Sequence, residues 1–374
     1  MKIDMIYELE MPKPWSGAHP EYDLFWNSMA EIELADRVGF DTVWMVEHHF
    51  RTEFSHSAAP DVFLSAVAQR TKNIRIGHGV VLLPYPFNHP IRVAERIATL
   101  DILSNGRLEF GVGRSGIDEQ EGFGIKTEES RDMMLEALGI IPRMWSDELF
   151  SHEGRFFQIP EREIIPKPYQ KPHPPLWMAS TSPDSWTIAG ERRVGALGLT
   201  VLMKLEEIQK HIANYRNAWK TGASVGGVAN NQVRVFTIVH CADTDEQAME
   251  QGGGEAALWY IDYILNRMLA RERALEDPKG PRPYSQFLDR LTYLKGHAEG
   301  SLRADVFDEE SMIITGNPDT CIQKIEEYQK AGVDGVLCLM QAGRIKHEDT
   351  MRSIELFGKH VIPHFKNKAD VAAG

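Results

Sequence analysis

Cysteine is scarce in this chain of 374 residues, which contains only Cys241, Cys321 and Cys338. The three are far apart, odd in number and set in apolar stretches such as GVLCLM. Disulfide frameworks and zinc sites use closely spaced, usually even sets of cysteines. We therefore interpret the three as buried free thiols and predict no metal site.

Long apolar runs and basic clusters are also missing. No stretch of about eighteen apolar residues could cross a bilayer, and the start MKIDMIYELEMP lacks the features of a signal peptide. The 54 acidic residues outnumber the 41 basic ones, and no run of Lys or Arg is long enough to bind a polyanion. We expect a cytoplasmic protein that binds neither nucleic acid nor a membrane.

The chain does contain a repeat of short apolar runs, each followed by a loop and most by a stretch of helical period. Eight such runs occur, in the order KIDMIYEL, FDTVWMV, IRIGHGVVLLP, RLEFGVGRSG, PLWMAST, ALGLTVL, QVRVFTIVHCA and VDGVLCLM. Little alternation within them is typical of parallel strands covered on both faces. The rhythm predicts a (β/α)₈ TIM barrel. A doubly wound open sheet is the rival, but it usually has a glycine-rich turn after its first strand, and YELEMPKPW has none.

Two segments interrupt the repeat. Residues from about 148 to 172 are aromatic and rich in proline, which suits a small hairpin inserted before strand five. Residues from about 275 to 305 lack periodicity, which is typical of a lid or binding loop, here inserted before strand eight. We expect residues 1–374 to form a single barrel domain carrying both insertions.

The residues that follow the predicted strands are the candidates for an active site, because barrel enzymes react at the C-terminal ends of their strands. Glu8 and Glu10 follow strand one, and Glu47, His48 and His49 follow strand two. Neighbouring side chains of an extended backbone point to opposite sides, so one imidazole faces the mouth and the other packs away. A single histidine there suits proton transfer or hydrogen bonding to a developing anion. A structural role is the better interpretation for His49.

A metal site would need imidazoles that converge from one side. Neither H-x-H nor H-E-x-x-H occurs in the sequence. Metal-dependent hydrolysis is therefore a weak alternative.

A possible anion site follows strand five. The stretch ASTSPDSW places Ser180, Thr181 and Ser182 before a helix that begins at Pro183. Free N–H groups at a helix N-terminus, flanked by hydroxyls, suit a phosphate, although an ordinary helix cap is the commoner outcome of such a stretch. Arg114, after strand four, is a candidate counter-charge because a guanidinium binds phosphate in a bidentate fashion; a solvated surface arginine is the alternative.

Five segments, in order along the chain, resemble the bacterial luciferase-like flavin monooxygenases. They are GFDTVWMVEHHF, LPYPFNHPIRVAERIATLDILSNGRLEFGVGRS, HEGRFFQIP, ASTSPDSWTIAGERRVG and GNPDTCIQKIEEYQKAGVDGVLC. The resemblance implies a (β/α)₈ barrel, usually dimeric, that binds reduced FMN supplied by a separate reductase. Members add O₂ to form a flavin 4a-(hydro)peroxide, which oxygenates a small-molecule substrate.

The resemblance also implies roles for residues near strands two and three. His48 matches the catalytic histidine, and Glu47 matches a carboxylate close to the flavin. Gly79 and Val80 match the part of strand three that passes the flavin ring, often through a non-proline cis peptide. Small residues there leave room for a flat ring.

Further matches and two departures concern the later strands. Arg114, Ser180 and Thr181 match the place where the FMN phosphate is held, and Thr200 on strand six matches a ring contact. The light-emitting members have a cysteine where this chain has Gly113, and they have a glutamate where it has Ser180. We therefore expect oxygenation of another substrate rather than light emission.

The sequence thus predicts a two-component, FMN-dependent monooxygenase, most simply a homodimer. We expect an apolar or aromatic substrate, because aromatic residues of the first loop and the lid should lie near the mouth; these are Trp15, Tyr22, Tyr284, Phe287 and Tyr293. Two further alternatives are a deazaflavin-dependent oxidoreductase of the same barrel family that transfers hydride, and a non-catalytic flavin-binding protein.

Overall fold

The computed structural model describes residues 1–201, 203–274 and 312–366, with the backbone alone for 265–274. The predicted lid, about 275–305, lies outside the described residues. Three of the aromatic residues expected near the mouth, Tyr284, Phe287 and Tyr293, lie there too.

Eight parallel strands close into a barrel in the described part of the chain. All strands, in chain order, are β1 (Lys2–Tyr7), β2 (Thr42–Met45), β3 (Arg75–Leu82), β4 (Leu108–Gly113), β5 (Phe150–Glu153), β6 (Gln158–Arg162), β7 (Leu176–Ala179), β8 (Gly195–Leu199), β9 (Val233–Cys241), β10 (Ile314–Gly316) and β11 (Gly335–Leu339). The barrel order is β1-β2-β3-β4-β7-β8-β9-β11, and β11 closes it by pairing in parallel with both β9 and β1. The (β/α)₈ prediction is confirmed.

Helices cover the outside of this barrel. They are α1 (Pro20–Val38), α2 (Pro60–Arg70), α3 (Pro90–Leu103), α4 (Ile117–Gly122), α5 (Thr127–Ser146), α6 (Pro183–Glu191), α7 (Leu205–Thr221), α8 (Asp245–Glu250), α9 (Gly253–Ala274), α10 (Pro318–Lys330) and α11 (His347–Leu356), the last followed by a π-helical turn, Phe357–Val361. Five of them begin at proline, whose fixed φ and missing N–H suit the first helical position. Within residues 1–201, 203–274 and 312–366, no helix is both long and apolar enough to cross a membrane.

An antiparallel hairpin of β5 and β6 lies between α5 and β7, within the segment predicted to be a hairpin insertion. Glu136 of α5 anchors it, because its carboxylate accepts hydrogen bonds from the backbone N–H groups of Phe156 and Phe157 at 3.1 and 3.0 Å. Short β10 was not predicted, since three residues show no period. The single helix predicted after β9 is two helices, because Gly252 adopts a φ of +100° between α8 and α9.

Below the C-terminal ends of the strands, a layer of buried side chains fills the barrel interior. The rings of Trp44 and Trp177 meet edge to face with centroids 5.4 Å apart. The guanidinium of Arg234 lies 5.0 Å from the Trp177 ring centroid and forms an ion pair with Asp4. Gly77 leaves the space that the Trp44 indole occupies, since a Cβ at position 77 would overlap this indole. A ligand can therefore enter only the C-terminal half of the barrel.

Candidate active site

A cavity of about 360 Å³ opens at the C-terminal ends of the barrel strands. Every barrel strand, or the loop that follows it, contributes to its wall. Six residues predicted for the site line it, namely Glu47, His48, Gly79, Val80, Arg114 and Thr181. This is where a (β/α)₈ barrel places its active site.

The imidazole of His48 is oriented by a buried carboxylate. Its Nδ1 lies 3.0 and 3.3 Å from the two carboxylate oxygens of Glu119 in α4. A carboxylate only accepts hydrogen bonds, so Nδ1 carries the hydrogen and donates. Nε2 lies 3.6 Å from Oε2 of Glu8 and is the nitrogen left for a ligand.

Glu119 is fully buried but well partnered. It accepts hydrogen bonds from the backbone N–H of His49 at 2.6 Å, from Nη2 of Arg51 at 2.9 Å, and from the hydroxyl of Ser115. Burial alone would raise the pKa of the Glu119 carboxyl, but His48 and Arg51 outweigh it and hold that pKa well below its usual range. The lowered pKa favours the charged carboxylate, which accepts from Nδ1 and orients the His48 ring.

Glu47 and His49 both stabilise the loop around this group. The Glu47 carboxylate accepts hydrogen bonds from the backbone N–H of Leu82 at 2.8 Å and from the Asn88 amide at 2.9 Å. His49 lies 3.5 Å from Glu47 and packs its ring against Phe123, with centroids 4.9 Å apart. The cavity wall includes Glu47 and His48 but not His49.

Glu8 and Tyr260 lie together at one side of the cavity, and each is about 5% exposed. Oε2 of Glu8 makes no hydrogen bond within the described chain. Burial raises the pKa of this carboxyl, although His48 and Arg51 oppose the shift. Burial and the nearby Glu8 raise the pKa of Tyr260 well above 10, so the phenol is a hydrogen-bond donor.

Gly79, Val80 and Leu82 of β3 and Gly113 of β4 line one wall of the cavity. The Gly79–Val80 peptide is cis, as the family resemblance implies. The pairing of β3 with β4 shifts register between His78 and Val81. A Cβ at Gly113 would overlap the Val80 side chain. A cysteine at position 113 therefore does not fit beside Val80 in this arrangement.

The N-terminus of α6 forms the opposite end of the cavity. The N-cap Ser182 donates its backbone N–H to the hydroxyl of Ser185 at 2.9 Å. Thr181, Ser182 and Ser185 all line the cavity. Hydroxyls at the positive end of a helix favour a bound anion.

Two arginines supply positive charge at this end. Arg114, after β4, donates Nη1 to the hydroxyl of Ser130 at 3.0 Å. Arg131 of α5 pairs with Asp184 at 3.1 Å. Both line the cavity beside the α6 N-terminus. Together with the hydroxyls they form a donor set that fits a phosphate.

The structure does not bring Ser180 and Thr200 to the cavity. Ser180 is fully buried, and its hydroxyl donates to the carbonyl of Met178 at 3.1 Å. The Thr200 hydroxyl donates to the Phe236 carbonyl at 3.0 Å and accepts from Tyr328 of α10 at 3.2 Å. In the described structure both hydroxyls bind protein groups, and neither residue lines the cavity.

The other differences from the sequence interpretation are residues that were missed. Glu119, Arg131 and Tyr260 belong to the site but were not predicted. The acidic stretch after GVGRSG was the one signal for Glu119, and it does not reveal the partner. Trp15 and Tyr22 are not in the cavity wall. Among the described residues, no group of three or more His, Cys, Asp or Glu side chains is arranged to hold a metal ion.

Residues 16–335 match a family model described as luciferase-like monooxygenase. The chain is 28% identical to limonene 1,2-monooxygenase of Rhodococcus erythropolis over 94% of its own length and 84% of the relative's. It is 29% identical to the oxygenase component of flavin-dependent trigonelline monooxygenase from Acinetobacter baylyi, over 60% of this chain and 61% of that protein.

Solved structures give the same picture of the fold. Monooxygenase RslO1 from Streptomyces bottropensis superposes with a TM-score of 0.77 at 26% identity, over 98% of this chain and all of that one. The oxygenating constituent of 3,6-diketocamphane monooxygenase from Pseudomonas putida, solved with FMN, has a TM-score of 0.76 at 23% identity, covering 97% and 98%. A coenzyme F420-dependent tetrahydromethanopterin reductase from Methanopyrus kandleri reaches 0.67 at 22%, covering 97% and 98%. The last two show the fold alone.

Proposed function

The chain belongs to the luciferase-like monooxygenase family, and we propose that it is the oxygenase component of a two-component, FMN-dependent monooxygenase acting on a small organic substrate. One observation carries the proposal: a single cavity joins a phosphate-type donor set to an imidazole that a buried carboxylate orients. The trigonelline relative is itself named an oxygenase component, which supports a separate flavin reductase as the electron supplier.

The donor set fits FMN. Arg114, Arg131, Ser182 and Ser185 would hold the phosphate, with the α6 N-terminus behind them. The wall at Gly79 carries no large side chain, which suits a flat ring. Reduced FMN, when bound, supplies the electrons with which dioxygen is activated.

His48 holds and moves a proton at the reacting end. Glu119 fixes the Nδ1 hydrogen, so only Nε2 can donate to or accept from a group in the cavity. The charged Glu119 also stabilises the imidazolium that forms when Nε2 takes up a proton. Glu47 contributes by fixing the end of β3 beside the site, since its oxygens bind Leu82 and Asn88.

Apolar side chains form the rest of the wall. Ile6, Val46, Phe236 and Leu337 line the cavity near His48. They would exclude water from the site, and exclusion of water limits side reactions of reactive intermediates. They also fit a substrate that is largely apolar.

The proposal extends to the oligomeric state and the cellular location of the protein. We propose one barrel domain that works in the cytoplasm as a homodimer. Exposed Trp26 and Val62 on the neighbouring helices α1 and α2 flank an apolar groove, which supports a subunit contact on this face. Light scattering of the purified protein tests the dimer, and a monomer at all concentrations would contradict it.

Cofactor titration followed by oxygen measurement tests the function. The purified protein is titrated with FMN, riboflavin and coenzyme F420, and then supplied with a flavin reductase and a panel of small apolar compounds. We expect FMN to bind more tightly than riboflavin, and one or more compounds to increase oxygen consumption. Binding of F420 without FMN would favour the hydride-transfer alternative, which draws on the fold shared with F420 enzymes. FMN binding without any substrate-dependent oxygen consumption would favour a flavin-binding protein.

A further inference from the structure

Glu8 is a buried residue whose carboxyl group has one oxygen, Oε2, without a hydrogen-bond partner among the described residues. It follows β1 at the rim of the barrel, is 5% exposed and lines the cavity. Its Oε2 makes no hydrogen bond to a described residue, and Nε2 of His48 lies 3.6 Å from it. A buried carboxyl without a hydrogen-bond partner costs free energy, so this position is not explained by stability.

Glu10, at the end of the same strand, is a buried glutamate that does not reach the cavity, and it serves as the comparison for Glu8. It is 2% exposed, and its Oε2 accepts a hydrogen bond from the backbone N–H of Gly343. Its Oε1, like Oε2 of Glu8, has no hydrogen-bond partner among the described residues. It does not line the cavity. The difference between two glutamates, two positions apart and equally buried, is that only Glu8 faces the space for a ligand.

Glu8 has His48 and Arg51 on one side, and apolar side chains and Tyr260 form the rest of the cavity wall around it. Ile6, Phe236 and Leu337 line the cavity from β1, β9 and β11. Tyr260 of α9 also lines it, and no hydrogen bond of its hydroxyl to another described residue is found. An isolated acceptor and an isolated donor in an apolar wall are the usual means by which a pocket orients a small molecule.

Glu8 lies away from the phosphate-type end. The barrel order places β2 and β3 between β1 and β4, and β4 and β7 carry Arg114 and the α6 N-terminus. His48 lies between the two ends, beside Glu8. The Glu8 side of the cavity is therefore available to the molecule that is oxygenated.

We propose that Glu8 and Tyr260 form a substrate-binding subsite that selects an otherwise apolar molecule carrying a polar hydrogen, on either a hydroxyl or a protonated amine. The group donates to the Glu8 carboxyl, and a hydroxyl can also accept from Tyr260. Glu8 and Tyr260 are specificity-determining residues in this view. The inference rests on the proposed function, because it names the substrate class of the same site.

Binding of three matched probes tests the subsite. Toluene, benzyl alcohol and benzylamine share one ring and differ in the polar group. Each is titrated by calorimetry into the protein loaded with FMN. We expect one of the two polar probes to bind at least about tenfold more tightly than toluene, the usual effect of a hydrogen bond to a buried polar group.

Substitutions then connect the preference to Glu8. In Glu8→Leu, the dissociation constants of the three probes should lie within about twofold of one another. Glu8→Gln separates the two substrate groups: an amide still accepts from benzyl alcohol but does not neutralise benzylamine. Tyr260→Phe should weaken the binding of benzyl alcohol more than the binding of toluene. Glu10→Gln is the matched control and should leave the preference unchanged.

Two results would overturn the subsite: a wild-type protein that binds toluene as tightly as both polar probes, or a preference that survives in Glu8→Leu. Melting temperatures establish that each variant is folded. If Glu8→Leu is not, the subsite is overturned when Glu8→Gln keeps a preference for benzylamine or when Tyr260→Phe keeps the full preference for benzyl alcohol. FMN titration of every preparation distinguishes the two levels of failure. A wild type that does not bind FMN contradicts the proposed function, whereas FMN binding without probe preference contradicts the subsite alone.

Discussion

Nδ1 of His48 lies 3.0 Å from Oε1 of Glu119, although 71 positions separate the two residues in the chain. The contact joins the loop after β2 to α4, and Arg51 strengthens it by donating to the same carboxylate at 2.9 Å. Glu119 therefore holds the imidazole at Nδ1, and Nε2 faces the cavity. Orientation of a catalytic histidine by a buried carboxylate is a recurring solution in enzymes.

Replacement of His48 by Ala should remove the proton-handling group without removing the cofactor site. We expect substrate-dependent oxygen incorporation to fall by roughly 10²–10⁴-fold, the usual contribution of a positioned acid or base. FMN affinity, measured by fluorescence quenching, should change little, because His48 lies away from the phosphate-type end. His49→Ala is the matched control, since His49 does not line the cavity. Oxygenation by His48→Ala at the parental rate would rule out the role.

Glu119→Gln tests whether the buried carboxylate is charged. Around pH 7 the variant should lose about 3 kcal/mol of unfolding free energy, because Arg51 and His48 lose their ionised partner. The folded-state pKa of Glu119 lies well below its ordinary value of 4.5. Its contribution is therefore fully present above that value and is lost as the pH falls toward the folded-state pKa.

Urea unfolding of both proteins at several pH values measures this difference. The gap between wild type and Glu119→Gln should narrow from pH 7 to about pH 3. Glu95→Gln, which alters an exposed pair with Arg92, should change stability by less than about 1 kcal/mol. A gap that stays constant with pH would contradict a charged Glu119.

The fold could be predicted because its signals are local. Each barrel strand is an apolar run of four to nine residues, and proline marks the start of helices such as α2 at Pro60 and α6 at Pro183. Gly39 ends α1 with a φ of +99°, as its position after the periodic stretch predicts. The split between α8 and α9 was missed because propensity alone does not locate a break at Gly252.

Part of the site could be predicted from strand ends and from the family resemblance. The end of the second predicted strand placed Glu47, His48 and His49 at the mouth of the barrel. The resemblance then selected His48, which lines the cavity, over His49, which does not. Ser180 and Thr200 were expected at the cavity but do not line it, because strand-end position does not say whether a hydroxyl bonds a backbone carbonyl. Glu119 was missed because its partner lies on another strand-helix unit.

The phosphate-type end predicts a difference between FMN and riboflavin. Arg131→Ala and Arg114→Ala should each weaken FMN binding by about tenfold or more, because a charge-assisted hydrogen bond to the phosphate is lost. Riboflavin lacks the phosphate, so its dissociation constant should change by less than about twofold. Arg143→Ala on the same helix as Arg131 is the control, since Arg143 pairs with Asp147 away from the cavity. Equal weakening of both flavins would contradict a phosphate site here.

Gly113 and Val80 should behave as a coupled pair. A Cβ at position 113 would overlap the Val80 side chain, so Gly113→Ala must displace Val80 from the cavity wall. We expect Gly113→Ala to cost about 1–3 kcal/mol of unfolding free energy, the usual effect of overpacking, and to weaken FMN binding.

Adding Val80→Ala to Gly113→Ala should restore much of both losses, because it removes the overlapping methyl groups. Gly139→Ala in α5, where a Cβ meets nothing within 4 Å, is the control and should be neutral or stabilising. Thermal unfolding and FMN titration of the single and double variants measure the coupling. Additive losses in the double variant would show that Val80 is not what requires glycine at position 113.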